Sequence, residues 1–336
     1  MKIIIDAMGG DNAPGEIVKG ALDALDIFDC EIILTGRGED ILRVLERNNI
    51  SNLPAGVEIV NAAEIVEIED DPATVIREKK DSSLVVGLDL LKEGRGDALV
   101  SAGSTGALLS GATLIVKRIR GIRRAALALF TPNSKNGFIL IDCGANAECT
   151  PEYLNQFALM GSIYAEYLLS TESPRVGLLN IGAELTKGTS LQLETYKILE
   201  DAKSKGHINF VGNIEPAAAM NGDCDILVSD GYSGNIFLKT VEATASLVMK
   251  ELKAVYFKNP MTKLSAMMVK RHIKELRTKM SADTIGGTAL LGISKPVLKA
   301  HGSSNAAAIT SAIGQAILSV NANIAEQISN VLSECR

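Results

Sequence analysis

Four short glycine-bearing strings have the residue types and spacing to hold an anion: DAMGGD (Asp6 to Asp11), SAGSTGA (Ser101 to Ala107), DCGAN (Asp142 to Asn146) and DGYSGN (Asp230 to Asn235). Each follows an apolar run of β type and precedes a helix-like stretch. Glycine lets backbone N–H groups approach an anion, and the N-terminus of a following helix adds positive potential. Two further loops extend the set. NIGAELTKG (Asn180 to Gly188) sets Glu184 and Lys187 three residues apart beside glycines, and a lysine there can meet an anion as a point charge. KAHGSSNA (Lys299 to Ala306) combines His301, one of three histidines, with two serines near a helix start. IREKKDSS (Ile76 to Ser83) brings Arg77, Lys79 and Lys80 just before an Asp/Ser cap. The implied chemistry is phosphate or carboxylate binding. GRGED (Gly36 to Asp40) begins like a dinucleotide fingerprint but lacks its third glycine.

Loops far apart in sequence need a scaffold that gathers them. Short β-branched runs (KIIID, EIILTG, VEIVNA, DALVSA, ALALF, GFILID, RVGLLNI, HINFVG, DILVSD) alternate with helical patterns, which predicts an α/β fold of three layers, a mostly parallel sheet with helices on both faces. In such a sheet the strand ends point to one edge, so the loops are expected to meet at one crevice. No Pro/Ser-rich linker, repeat or low-complexity tract interrupts the chain, so a single domain over residues 1–333 is expected, with a helical protrusion at 239–280 broken at Asn259-Pro260.

Composition narrows the class. With 336 residues, 46% hydrophobic, 4% aromatic and no Trp, the chain can build a large core of Val, Ile, Leu and Ala. A net charge of −6 argues against general nucleic-acid binding. Five cysteines show no metal-like pairing beyond a loose Cys143/Cys149, their odd count argues against a disulfide framework, and a reducing cytoplasm is the simplest setting. No apolar run approaches the ~20 residues needed to span a bilayer, and MKIIIDAMGG turns glycine-rich too early for a signal peptide.

DAMGGD, IREKKDSS, SAGSTGA, DCGAN, NIGAELTKG, DGYSGN and KAHGSSNA stand in the order and roughly the spacing of the bacterial acyl-carrier-protein:phosphate acyltransferases, the PlsX family, which this sequence resembles from Met1 to about Ile317. The resemblance implies a homodimeric fold like that of isocitrate and isopropylmalate dehydrogenases and of phosphotransacetylase. It also implies a reaction: fatty acyl phosphate formed from acyl carrier protein thioester and inorganic phosphate, early in phospholipid synthesis. No cofactor or metal is implied. The product would pass to a membrane glycerol-3-phosphate acyltransferase. Ser104 replaces the family's asparagine but keeps a hydrogen-bond donor, whereas Leu185 replaces a second acidic residue and cannot act as a carboxylate.

On that basis Lys187 is expected to stabilise charge and Asp230 to orient Lys187 or the incoming phosphate. Asp6, Gly9, Gly10, Asp11, Ser104, Thr105, Gly106, Asn146, Gly231, Asn235 and His301 are the expected anion-binding set. Cys143 reads as a small buried residue rather than a nucleophile. Two other classes compete: a metal- and NAD-dependent β-decarboxylating dehydrogenase on the same fold, suggested by KAHGSSNA, and a non-enzymatic lipid- or protein-binding scaffold. The first lacks the spaced aspartates and arginine cluster of its class, and the second does not account for seven intact loop motifs.

Residues 250–279 carry nine Lys/Arg against Glu251 and Glu275, a local balance of +7 in a chain of −6. Met261, Leu264 and Met268, then Val269, Ile273, Leu276 and Met280, recur at three- and four-residue steps. Leu264, Met268, Lys270 and Arg271 are therefore expected contacts to an anionic membrane surface, with peripheral association at its inner face. Docking of the acidic carrier protein or of a second subunit are the alternatives for the same helices.

Overall fold

In the computed structural model, which describes residues 1–280 and 286–334, the N-terminal apolar run forms β1 (Lys2–Asp6). Ile3, Ile4 and Ile5 are all fully buried, as consecutive apolar residues can be only when both faces of a strand are covered. β2 (Glu31–Gly36), β3 (Val57–Asn61) and β4 (Ala98–Ser101) run parallel to it in the order β3-β2-β1-β4. Their connections are α1 (Gly15–Leu25), α2 (Gly38–Arg47), the short α3 (Val75–Glu78) and α4 (Ser83–Glu93). Ser82 caps the start of α4 by accepting from the Val85 N–H, and Gly94, left-handed at φ 79°, ends it. After β4, α5 (Thr105–Gly111) runs through a π turn (Ala112–Val116) and a basic loop into β5 (Ala126–Thr131).

There the chain turns over. Only Pro132 to Gly137 separate β5 from β6 (Phe138–Ile141), far short of a parallel crossover, so the two form an antiparallel hairpin. Asn133 Oδ1 holds the turn by accepting from the N–H groups of Lys135 (2.8 Å) and Gly137 (2.9 Å). The chain continues through α6 (Pro151–Leu168), β7 (Arg175–Leu179), α7 (Ser190–Ser204), β8 (Asn209–Ile214), α8 (Pro216–Asn221) and β9 (Ile226–Val228). Next come α9 (Gly231–Tyr256), α10 (Pro260–Met280) and β10 (Thr288–Leu291). A second hairpin leads from β10 to β11 (Val297–Lys299) beside β4, and α11 (Ala306–Asn321) and α12 (Ile324–Glu334) finish the chain.

All eleven strands form one sheet in the order β3-β2-β1-β4-β11-β10-β5-β6-β9-β7-β8. Helices α4, α5, α8 and α9 cover one face; α1, α2 and α11 cover half of the other, and α6, α7 and α12 the rest. The three-layer, mostly parallel expectation holds. The single crevice does not. Antiparallel pairings β11-β10, β10-β5 and β5-β6 make β1 to β5 and β11 point one way and β6 to β10 the other. Loops leaving β1, β4 and β11 therefore lie at one edge, and those leaving β6, β9 and β7 at the opposite edge.

At 1.5 Å per residue the 26 residues of α9 span about 39 Å, far longer than any strand it crosses. Only Gly231, Gly234 and Phe237 of this helix are buried, and its later turns pack on α10. The break falls at Asn259-Pro260, where Asn259 Oδ1 accepts from the Thr262 N–H at 2.9 Å.

Candidate active site

Asp142 organises the edge formed by β6, β9 and β7. It is fully buried, and its Oδ1 accepts from the N–H groups of Leu127 (3.0 Å), Gly144 (3.2 Å) and Ala145 (3.0 Å). Its Oδ2 accepts from the backbone N–H and side-chain Nδ2 of Asn146 at 2.7 and 2.9 Å. Burial pushes this carboxyl above its usual range, and the converging donors oppose the rise. Asn146 Nδ2 also donates to the Ala125 carbonyl at 2.8 Å, so both amide protons are spent within the protein. Asn146 thus clamps the β6 loop to β5 through its side-chain amide.

The Gly231 N–H donates to the Asn146 carbonyl at 2.8 Å. Glycine is required there for closeness: a β-carbon on Gly231 would stand 2.6 Å from the Asn146 carbonyl oxygen. Asp230 is buried and caps α9, its Oδ1 accepting from the Ser233 N–H at 2.8 Å. Asn235 lies one turn on, against Gly144 of the β6 loop.

β7 neighbours β9, which brings the Asn180 to Gly188 loop beside Asp230. Two buried amides pin this loop. Asn180 accepts from the Ile181 N–H and donates to the Lys187 carbonyl at 3.0 Å, while Asn213 donates to the Glu184 carbonyl at 3.1 Å. Lys187 and Glu184 project into solvent, and no ion pair joins Lys187 to a carboxylate among the described residues. The pinned backbone fixes where a free ammonium is displayed. The sequence does not single out Asn180 or Asn213; one follows the last residue of β7 and the other precedes the last residue of β8, where a buried amide can hold a neighbouring loop.

The second group lies at the opposite edge. From β1 to β9 there are six strand steps, roughly 29 Å at about 4.8 Å each. Asp6 is buried and accepts from Ser83 Oγ and Ser101 Oγ, both at 2.6 Å; burial pushes its carboxyl upward against these bonds and the nearby Met8 and Gly9 N–H groups. Asp6 therefore ties together the loops after β1 and β4 and the start of α4. Gly9 is needed because a β-carbon would lie 2.5 Å from Asp6 Oδ2, and Gly106 because one would lie 2.6 Å from Pro72 Cγ. Gly10 takes a positive φ of 101°. Asp11 is exposed and donates its N–H to the Gly302 carbonyl at 2.8 Å. Ser104 caps α5 with exposed Thr105 after it. His301 Nδ1 is 2.9 Å from Ser303 Oγ and accepts from the Ser303 N–H.

Lys299, unassigned from sequence, is buried here. Its Nζ donates to the carbonyls of Ala102 (3.1 Å) and Ala300. Burial pulls its pKa down to about 8, against the attraction of Asp6 and Asp11. The only signal in the sequence was a lysine closing the apolar run Val297-Leu298.

Cysteine chemistry is disfavoured at the Asp142 edge. Burial pushes the Cys143 thiol far up with Asp142 adding to the rise, and burial raises Cys149 to about 12. Neither supplies appreciable thiolate near neutrality.

Over residues 1–327 the chain matches the family described as fatty acid synthesis protein. It is 44% identical over 333 residues to a phosphate acyltransferase of Alkaliphilus oremlandii, covering 99% of this chain and 98% of that protein. A phosphotransacetylase from Streptococcus pyogenes shares the fold with a TM-score of 0.64 at 18% identity, over 96% of this chain and 94% of that one. A structure described as a 4-hydroxythreonine-4-phosphate dehydrogenase from Salmonella typhimurium gives 0.54 at 13%, over 95% and 99%. At such identities these two likenesses speak for the fold alone.

Proposed function

The chain belongs to the fatty acid synthesis protein family and to the phosphate acyltransferases within it, and from that premise we propose that it converts an acyl carrier protein thioester and inorganic phosphate into acyl phosphate and free carrier thiol. The observation that carries the assignment of the site is Lys187, an exposed ammonium without a carboxylate partner among the described residues, on a loop pinned beside the capped start of α9.

A phosphate oxygen attacks the thioester carbon, forming a C–O bond and a tetrahedral oxyanion. Collapse breaks the C–S bond, and the pantetheine thiolate leaves and takes up a proton. Lys187 neutralises charge on phosphate and oxyanion, a contribution worth several kcal/mol where such donors are preorganised. Asp230 acts by fixing the first turn of α9 beside that loop. Phosphate is already a nucleophile, so no acyl-enzyme is needed. The dehydrogenase reading loses its support, since family membership points to acyl transfer while the dehydrogenase likeness extends to fold only. Phosphate-dependent thiol release by the purified protein tests the proposal.

The setting follows from the product. An acyl phosphate hydrolyses readily, which favours delivery to a membrane glycerol-3-phosphate acyltransferase from an enzyme held at the inner face of the membrane. Met261, Leu264, Met267 and Met268 on α10 are all strongly exposed, with Lys270 and Arg271 exposed on the same helix. Exposed apolar and basic residues side by side support docking on an anionic bilayer. Leu276 and Met280 belong to the same sequence pattern, but their side chains lie outside the described residues.

A further inference from the structure

Between the π turn and β5 the chain carries Lys117, Arg118, Arg120, Arg123 and Arg124, five cations in eight residues with no acid among them. None takes part in an ion pair among the described residues. The nearby Glu152 is engaged first by the Thr150 side chain and only last by Arg123. A run so charged would ordinarily be mobile, yet this one is anchored. Ile119 and Ile122 are buried, and the Ile119 N–H donates to the Gly292 carbonyl at 2.9 Å. Gln156 on α6 grips the loop from both sides, accepting from the Arg123 N–H (2.9 Å) and donating to the Gly121 carbonyl (3.0 Å). The Arg124 guanidinium lies over the Tyr153 ring, 5.9 Å from its centroid. Arg118, Arg123, Arg124, Tyr153, Gly121 and Ile122 line an open cleft of about 640 Å³.

Arginines carried on an anchored backbone into one cleft, without an ion-pair partner among the described residues, match a phosphate group, whose oxygens take paired N–H donors. The cleft also sits at the edge proposed for the chemistry. Ala125, next to Arg124, holds Asn146, and the start of β5 is three strand steps from the end of β7, roughly 14 Å at about 4.8 Å each. An extended pantetheine arm covers that distance. We propose that this cleft binds the 4′-phosphate of the pantetheine arm that carries the acyl group, leaving the thioester to reach the Lys187 loop while inorganic phosphate enters separately. The proposal rests on the acyl-transfer reading above and adds to it a second phosphate site with a different ligand.

Calorimetric titration of the purified chain with 4′-phosphopantetheine and, in parallel, pantetheine tests it. The phosphorylated probe should bind roughly tenfold tighter or more, the scale of charge-assisted bonds to arginine, and an Arg118→Gln/Arg123→Gln variant should lose that gap. Circular dichroism and gel filtration would show that the variant keeps its fold and assembly. In turnover it should raise the KM for acyl donor by a similar factor and leave the KM for inorganic phosphate unchanged. Equal affinity of the two probes for the wild type, or a gap that survives in the folded variant, overturns the proposal. Coenzyme A binding tighter than phosphopantetheine would identify the source as a coenzyme thioester, and equal or weaker binding the carrier protein; either supports the cleft. A wild type that shows the gap but forms no acyl phosphate supports the cleft and sinks the proposed reaction, so the two failures are distinguishable.

Discussion

A β-carbon on Gly234 would lie 2.0 Å from the Asp142 carbonyl oxygen, so the first turn of α9 and the loop after β6 are built around mutual contact of their backbones. Through that contact the Asp142 network reaches the cap at Asp230. Gly234→Ala sets two effects against each other. Alanine favours the helix by about 1 kcal/mol, whereas displacing a packed carbonyl costs roughly 1–3 kcal/mol or more. The clash should win, lowering the urea midpoint and the turnover together; an unchanged midpoint would show that the two segments are free to separate.

Much of this arrangement was legible in the sequence, and the part that was not has a definite cause. The strands, the glycine loops and the break at Asn259-Pro260 follow from local patterns that the fold respects. Strand direction does not. ALALF and GFILID read as two more members of a parallel series, but Pro132 to Gly137 between them is a six-residue turn ending in Asn-Gly, a hairpin signal that outweighs the alternation. That one turn, with its counterpart before β11, sends Asp142, Asp230 and Lys187 to one edge and Asp6, Ser104 and His301 to the other. The bonding of Asn146 and Gly231 is hidden from the sequence for another reason. A glycine or amide at a strand end reads alike whether it serves a ligand or a neighbouring carbonyl, and only the hydrogen-bond partners decide.

Direct attack by phosphate makes the thiols dispensable. Cys143→Ser and Cys149→Ser should each retain most of the turnover, since burial holds both thiols protonated near neutrality. An acyl-cysteine adduct that converts to product on adding phosphate, seen by mass spectrometry, would contradict this.

Lys299 makes stability depend on pH. Its pKa falls from 10.5 unfolded to about 8 folded, so between those values the unfolded chain binds a proton that the folded chain lacks, and stability rises with pH. Below about 8 both states carry the charge and the contribution is lost. Measured against Lys299→Met by urea denaturation from pH 7.5 to 10.5, wild type should gain on the order of 3 kcal/mol relative to the variant. A difference flat across that range would contradict the buried, depressed lysine.

The exposed methionines and Leu264 of α10 give the membrane reading its test. Wild type should float with anionic vesicles at low salt and less at high salt, with each basic residue near the leaflet adding about 1 kcal/mol. Leu264→Asp/Met268→Asp should remain in the soluble fraction. Equal flotation of both proteins, or none of either, would remove the membrane role; loss of carrier-protein affinity alone would reassign the helices to docking.

The most direct test of the account follows thiol release from an acyl carrier protein thioester with and without inorganic phosphate, trapping the acyl product with hydroxylamine, for wild type and Lys187→Ala. Because Lys187 is exposed and only its backbone is tied into the loop, the variant should fold normally. The account predicts that wild type releases thiol only when phosphate is present, with hydroxamate in equal amount, and that Lys187→Ala turns over at least roughly tenfold more slowly. Thiol release that ignores phosphate, or a folded Lys187→Ala protein as fast as wild type, would contradict it.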